Sequence, residues 1–101
     1  IRRRNNIEEL RLSAVPLGIV NGLEIRSEEI FLKKGDFLIM MSDGVSDGPD
    51  GRGFLPQLAE ILRSIRSGEP AVICDLVLDQ VSDSYLGKER DDLTIMTAKL
   101  L

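Results

Sequence analysis

A chain of 101 residues, 43% hydrophobic and 30% charged, has the composition of one ordinary soluble globular unit with a modest core. A net charge of −4, 4% aromatic residues and no Trp argue against nucleic-acid binding, which needs basic surface and stacking platforms. There are no histidines, which removes His general bases and His-rich zinc sites. Any catalysis must therefore run on carboxylates, hydroxyls, Lys/Arg or a metal.

The chain begins Ile-Arg-Arg-Arg-Asn-Asn, which reads as a boundary within a longer protein. No apolar h-region follows, so it is not a signal peptide, and Arg2, Arg3 and Arg4 are expected to be a solvated tail. No apolar run approaches the roughly 20 residues of a membrane span. Leu23 to Arg26 alternates as a strand would, and Ile30 to Leu32 forms a second short apolar run after the polar break Ser27-Glu28-Glu29. The parity change between them predicts a bulge or turn. Lys33-Lys34-Gly35-Asp36 is a turn signal, and Phe37 to Met41 predicts a strand buried on both faces.

Residues 42 to 53 contain Gly44, Gly48, Pro49, Gly51 and Gly53 and predict a loop. Phe54, Leu55, Leu58, Ile61, Leu62 and Ile65 then recur at helical spacing, with Pro56 suited to a first turn and Ser67-Gly68 ending the helix. A second helix opens at Glu69-Pro70, with Val72, Ile73, Leu76, Val77, Val81 and Tyr85 as its apolar stripe. Asp91-Asp92 then leads into an alternating strand from Leu93 toward Leu101.

Two strands thus border acidic loops, and if they are neighbours Asp43 and Asp91 share one rim. Oxygen ligands at such a rim suit hard divalent cations. The competing reading is that Asp43-Gly44 is only a turn. An EF-hand loop starting at Asp43 fails, because its third position is Val45 and its twelfth Phe54. No Gly-Lys-Ser/Thr of a phosphate-binding loop exists. Cys74, the single cysteine, has no basic residue within its helical turn and reads as a core-edge residue, not a reactive thiolate.

The string GDFLIMMSDGVSDG, preceded by Val15-Pro16-Leu17-Gly18-Ile19 and followed by Asp91-Asp92-Leu93-Thr94, resembles the metal-dependent PPM (PP2C-like) protein phosphatases. Within them it is most similar to the stage II sporulation protein E branch. The resemblance covers nearly the whole chain, and the order of the motifs is more specific than any one of them. It implies an α+β fold, an antiparallel β-sandwich flanked by helices, of which residues 1–101 are the C-terminal portion of a serine phosphatase domain. It implies that Asp43 and Asp91 are metal ligands of a two-metal Mn²⁺ or Mg²⁺ centre. Asp92, where eukaryotic relatives usually have Asn, and Gly44 are the neighbours that orient a ligand or join the coordination.

The implied reaction is in-line attack of water on a phosphoserine or phosphothreonine phosphorus. The substrate in that branch is a phosphorylated anti-anti-sigma factor, whose dephosphorylation releases a sigma factor in sporulation. The implied location is cytoplasmic, within a parent that carries an upstream membrane region. The family's other metal aspartates lie upstream, and residues 1 to 35 contain no Asp. The centre is therefore expected to be incomplete here, this polypeptide inactive alone, and an uncovered apolar sheet face prone to self-association. The rival expectation is a non-catalytic module of the same fold, used for binding or regulation.

Overall fold

The computed structural model describes residues 1–51, 53–89 and 91–101. Four strands, β1 (Arg2–Arg3), β2 (Asn6–Ile7), β3 (Phe37–Met41) and β4 (Ile95–Lys99), form one antiparallel sheet in the order β2-β1-β3-β4. Between β3 and β4 the chain makes a helical turn α1 (Asp43–Ser46) and two helices, α2 (Leu55–Ser64) and α3 (Pro70–Ser84). The result is an α+β layer, a sheet with its helices on one face. β3 and β4 share the longest ladder, from Phe37↔Lys99 to Met41↔Ile95.

Strand alternation sets the two faces. Phe37, Ile39, Met41 and Ile95 turn toward the helices and join a core of Val45, Leu58, Leu62, Ile65, Ile73, Val77, Val81 and Tyr85. Leu38, Met40, Met96 and Ala98 occupy the other face, where Met40 and Met96 are about half exposed. The expectation that β3 is buried on both faces is thus corrected: only the helix side is covered among the described residues. The helices match their apolar spacing, and each has Pro in its first turn, where a missing N–H costs nothing. The stripe on α3 is narrower than its sequence suggests. Ile73, Val77 and Val81 are buried, whereas Val72 and Leu76 are exposed.

Two expectations about the first third of the chain are overturned. Residues 23–26 and 30–32 form no strand, and no regular element lies between β2 and β3. Alternation is not enough when, among the described residues, no strand pairs beside them and little covers their apolar side chains: Ile25 and Phe31 are exposed. The radius of gyration, 15.2 Å, exceeds the roughly 13 Å of a close-packed chain this long, as a loosely attached segment requires. Within it two turns form, the second at the Lys33–Asp36 turn signal. Ile19 N–H reaches the Pro16 carbonyl at 3.4 Å with Gly18 at φ +87°, and Asp36 N–H reaches the Lys33 carbonyl at 2.9 Å.

The second correction concerns Arg2 and Arg3, which are not a solvated tail. They form β1 and turn back through Arg4, at φ +55°, to pair Arg3 with Asn6. Arg2 is buried, its guanidinium donating to the Ile65 and Ser67 carbonyls just past the end of α2. It also lies 5.4 Å from the centre of the Phe37 ring. Lys99 approaches the same ring at 5.5 Å and donates to the Gly68 carbonyl at 3.1 Å. A helix C-terminus offers unpaired carbonyls and partial negative charge, so two cations stacked on one aromatic ring hold that end of α2 to the sheet.

Arg3 forks onto Asp36, with contacts of 2.7 to 3.0 Å, and Lys33 N–H adds a bond to the same carboxylate at 2.8 Å. The Arg3 hydrogen bonds, then the Lys33 amide, hold the Asp36 carboxyl below its ordinary value. A depressed folded pKa stabilises the native state above the unfolded value, about 4, and that contribution fades as pH falls through the folded value. Asp36→Asn should therefore be less stable than the wild type at pH 7, with the gap closing below about pH 4. Denaturant unfolding at stepped pH tests this, and a gap independent of pH contradicts it.

Candidate metal centre

The rim where β3 ends and β4 begins is closed by Ser42. Its N–H donates to the Thr94 carbonyl at 2.9 Å, and its hydroxyl accepts the Thr94 N–H at 3.0 Å. That hydroxyl in turn donates to the Asp92 carbonyl at 3.0 Å. The β3–β4 ladder is thus carried one step beyond Met41↔Ile95, and the residues flanking it, Asp43 and Asp91-Asp92, emerge at the same end of adjacent strands. Placing Asp43 and Asp91 on a common rim is what the sequence led one to expect.

Asp43 is not in a loop, as expected for residues 42 to 53, but is the first residue of α1. The turn closes because Val45 and Ser46 N–H groups reach the Ser42 carbonyl and Asp47 N–H reaches that of Asp43. Val45 is fully buried, so the turn is anchored by packing as well. Beyond it, Phe54 N–H returns to the Ser46 carbonyl at 2.6 Å and Gly53 N–H to that of Asp47 at 3.1 Å. The exposed tip is tied by Lys88 to Asp50 at 2.6 Å. Asp47 accepts from the Ser46 hydroxyl at 3.2 Å. Neither Asp47 nor Asp50 was expected to be a ligand.

The two candidate ligands are set in the same way. One oxygen of Asp43 accepts the Gly44 N–H at 2.9 Å, and one oxygen of Asp91 accepts the Asp92 N–H at 2.8 Å. Each carboxylate is thus oriented by the next amide, and its second oxygen meets no donor among the described residues. Both side chains are exposed, and neither they nor Asp92 form an ion pair with a described residue. Two anionic oxygens without protein cations suit Mg²⁺ or Mn²⁺, which are held by one or two carboxylates, keep several waters and complete their shell with substrate phosphate. No cluster of three or more metal-binding side chains gathers among the described residues. The described residues thus offer a pair of carboxylates at this rim and not a full ligand set.

Gly44 and Asp92 touch. A Cβ on Gly44 would overlap the Asp92 carbonyl oxygen, lie 3.2 Å from its carbon and meet Leu93 Cδ2 at 3.3 Å. The absence of a side chain at 44 is what lets the two acidic segments approach. The Gly44 carbonyl is buried and accepts the Tyr85 hydroxyl at 2.7 Å. Ser42 and Tyr85 belong to this rim without any local sequence signal that marks them there. Tyr85 was assigned to the apolar stripe, although a tyrosine ending such a stripe carries a hydroxyl that must find a partner when buried. Cys74 lies away from the rim, half-buried, with its sulfur 3.3 Å from the Thr97 hydroxyl, at the core edge as expected.

A larger groove, about 730 Å³, runs along the edge of β3 beside α2, lined by Leu38, Met40, Leu55, Leu58 and Leu62. It contains neither Asp43 nor Asp91. Among the described residues β1 pairs with β3 only at Arg2↔Phe37, which leaves this edge open.

This layer and rim belong to the PP2C-type phosphatase fold. The phosphatase domain of the cell fate determinant SpoIIE from Bacillus subtilis, in a manganese-presoaked crystal, superposes with a TM-score of 0.78 and 26% identity, covering 98% of this chain and 44% of that one. A structure of the PP2C phosphatase domain with a fragment of the regulatory domain of the same protein gives a TM-score of 0.80 and 31% identity, covering 97% and 29%. The chain belongs to the stage II sporulation protein E (SpoIIE) family, whose model matches residues 1–101. The stage II sporulation protein E of Bacillus subtilis is 29% identical over 101 residues, and that of Priestia megaterium 31%. The chain spans 99% of its own length in both alignments but only 12% and 17% of those relatives. No helix among the described residues is long and apolar enough to cross a membrane.

Gly44→Ala should force the Asp92 carbonyl away from α1, because a backbone atom cannot rotate aside. The expected cost is about 1–3 kcal/mol, read from denaturant unfolding. An unchanged midpoint would contradict the close approach.

Proposed function

We propose that this chain is the C-terminal part of a metal-dependent protein serine/threonine phosphatase and supplies two carboxylates, Asp43 and Asp91, to its Mn²⁺ or Mg²⁺ centre. The observation that carries the reading is the Ser42 bridge, which fixes both aspartates at one strand end with an oxygen of each unclaimed by described residues. The family match and the manganese-presoaked relative support it. A divalent ion held there supplies Lewis-acid charge to phosphate oxygens and lowers the pKa of water. Asp43 and Asp91 fix the ion's place at the rim. Gly44 and Asp92 N–H groups orient those carboxylates, and the exposed rim leaves room for a phosphorylated side chain of a folded protein.

In the sporulation family the fitting substrate is a phosphoserine on a regulatory protein such as an anti-anti-sigma factor, so that hydrolysis activates a sigma factor. The chain would then act on the cytoplasmic side, and the remaining ligands would come from the rest of the domain. Alone, residues 1–101 are expected to be inactive, since two carboxylates hold an ion weakly, and to self-associate through the face of Met40 and Met96.

In the complete domain, hydrolysis of a phosphoserine protein should require Mn²⁺ or Mg²⁺. Asp43→Asn and Asp91→Asn should each lower its rate on the order of 100-fold, the upper end of what losing even a ligand-orienting group costs. Unchanged rates in both variants would favour a non-catalytic binding module of the same fold.

A further inference from the structure

We propose that Tyr85 is a positioning residue for the Asp43 carboxylate, acting through Gly44. The proposal rests on the metal-phosphatase reading above. Gly44 is the pivot of the site: its N–H holds one oxygen of Asp43 at 2.9 Å, and its carbonyl takes the Tyr85 hydroxyl at 2.7 Å. Glycine has the widest backbone freedom of any residue, so an unrestrained Gly44 would let that N–H, and the carboxylate with it, wander. The Ser42 hydroxyl is committed to Thr94 and Asp92, and α1 has no side-chain cap. Through its hydroxyl Ser42 therefore secures the turn on the β4 side, while its carbonyl closes α1 on the Val45 and Ser46 N–H groups.

Tyr85 adds a restraint on the Gly44 carbonyl itself, from the opposite direction. It is the residue that ends α3, and it is 6% exposed. Its position is set by Val77 and Val81 on the preceding turns, both fully buried. The hydroxyl is thus delivered by a packed helix, not by a flexible side chain at the surface. A buried hydroxyl–carbonyl bond of this kind is short, desolvated and costly to leave unmade. The chain of contacts runs from the α3 core through Tyr85 and Gly44 to the oxygen pair of Asp43. It tunes how well that carboxylate is pre-aimed, without contact between Tyr85 and substrate or metal.

The test is Mn²⁺ binding to the complete phosphatase domain, read by electron paramagnetic resonance of free Mn²⁺, for the wild type, Tyr85→Phe and Cys74→Ser. Tyr85→Phe keeps the ring and should fold. The loss of one buried hydrogen bond predicts a dissociation constant for Mn²⁺ raised about threefold to tenfold. The Mn²⁺ concentration for half-maximal activity should rise in parallel, while kcat at saturating Mn²⁺ stays within about twofold of the wild type, as pre-aiming alone requires. Cys74→Ser, on α3 away from the rim, alters only the contact with Thr97 of β4 and should leave the dissociation constant unchanged. Wild-type affinity in Tyr85→Phe, with only the melting temperature in chelator lowered, would overturn the positioning role while leaving the metal reading intact. A wild-type domain that binds no Mn²⁺ would overturn the metal reading, and this proposal with it.

Discussion

One serine side chain carries the constraint on which the site depends. Ser42 lies just past the last regular pair of β3 and β4, where a ladder would ordinarily fray into two separate loops. By accepting from Thr94 N–H and donating to the Asp92 carbonyl, its hydroxyl keeps the two chains together for two further residues. Its size is part of the reason. A longer side chain could not bond both groups of the segment entering β4 at 3.0 Å, and an apolar one would give them up to water. Gly44 completes the junction by presenting no side chain to the Asp92 carbonyl. The carboxylates need no contact with each other to form a site, because their backbones are already fastened.

The rest of the fold supplies rigidity behind that rim. Phe37, at the opposite end of β3, is flanked by Arg2 from β1 and Lys99 from β4, and both cations satisfy carbonyls that follow α2. This fixes where α2 ends and so where α3 starts, and α3 delivers Tyr85 to Gly44. The sheet is thus held to its helices at both ends, by charge on aromatic and carbonyl groups at one and by a neutral hydrogen bond at the other. Between them lies an apolar core of modest size. The opposite face, with Met40 and Met96, has no cover among the described residues. An apolar sheet face of that kind normally packs against a second layer.

Much of this was legible in the sequence, for identifiable reasons. Both long helices announced themselves by spacing, because a helix–sheet interface selects a stripe that no other element produces. Gly35 marked a turn through the φ value it permits. That Asp43 and Asp91 flank the same end of two neighbouring strands was legible from their position after one apolar run and before another. What was not legible depended on distant partners. Leu23–Arg26 alternates like a strand but has no strand to pair with among the described residues, so pattern alone misled. Arg2 and Arg3 looked solvated because nothing local reveals that Phe37, Asp36 and the end of α2 wait for them. The α1 turn was hidden behind glycines that usually signal irregular loops. Ser42 and Tyr85 were hidden by their ordinary local roles, as a small polar residue and as the end of an apolar stripe.

The account's central claim is that Asp43 and Asp91, fastened by Ser42, act on the same divalent ion centre. The most direct measurement is an anomalous difference map at the manganese edge, from crystals of the complete phosphatase domain grown with Mn²⁺. The prediction is density at the β3–β4 rim within coordination distance, about 2.0–2.3 Å, of a carboxylate oxygen from both residues. Manganese bound elsewhere, or no anomalous density beside either aspartate at saturating Mn²⁺, would contradict it.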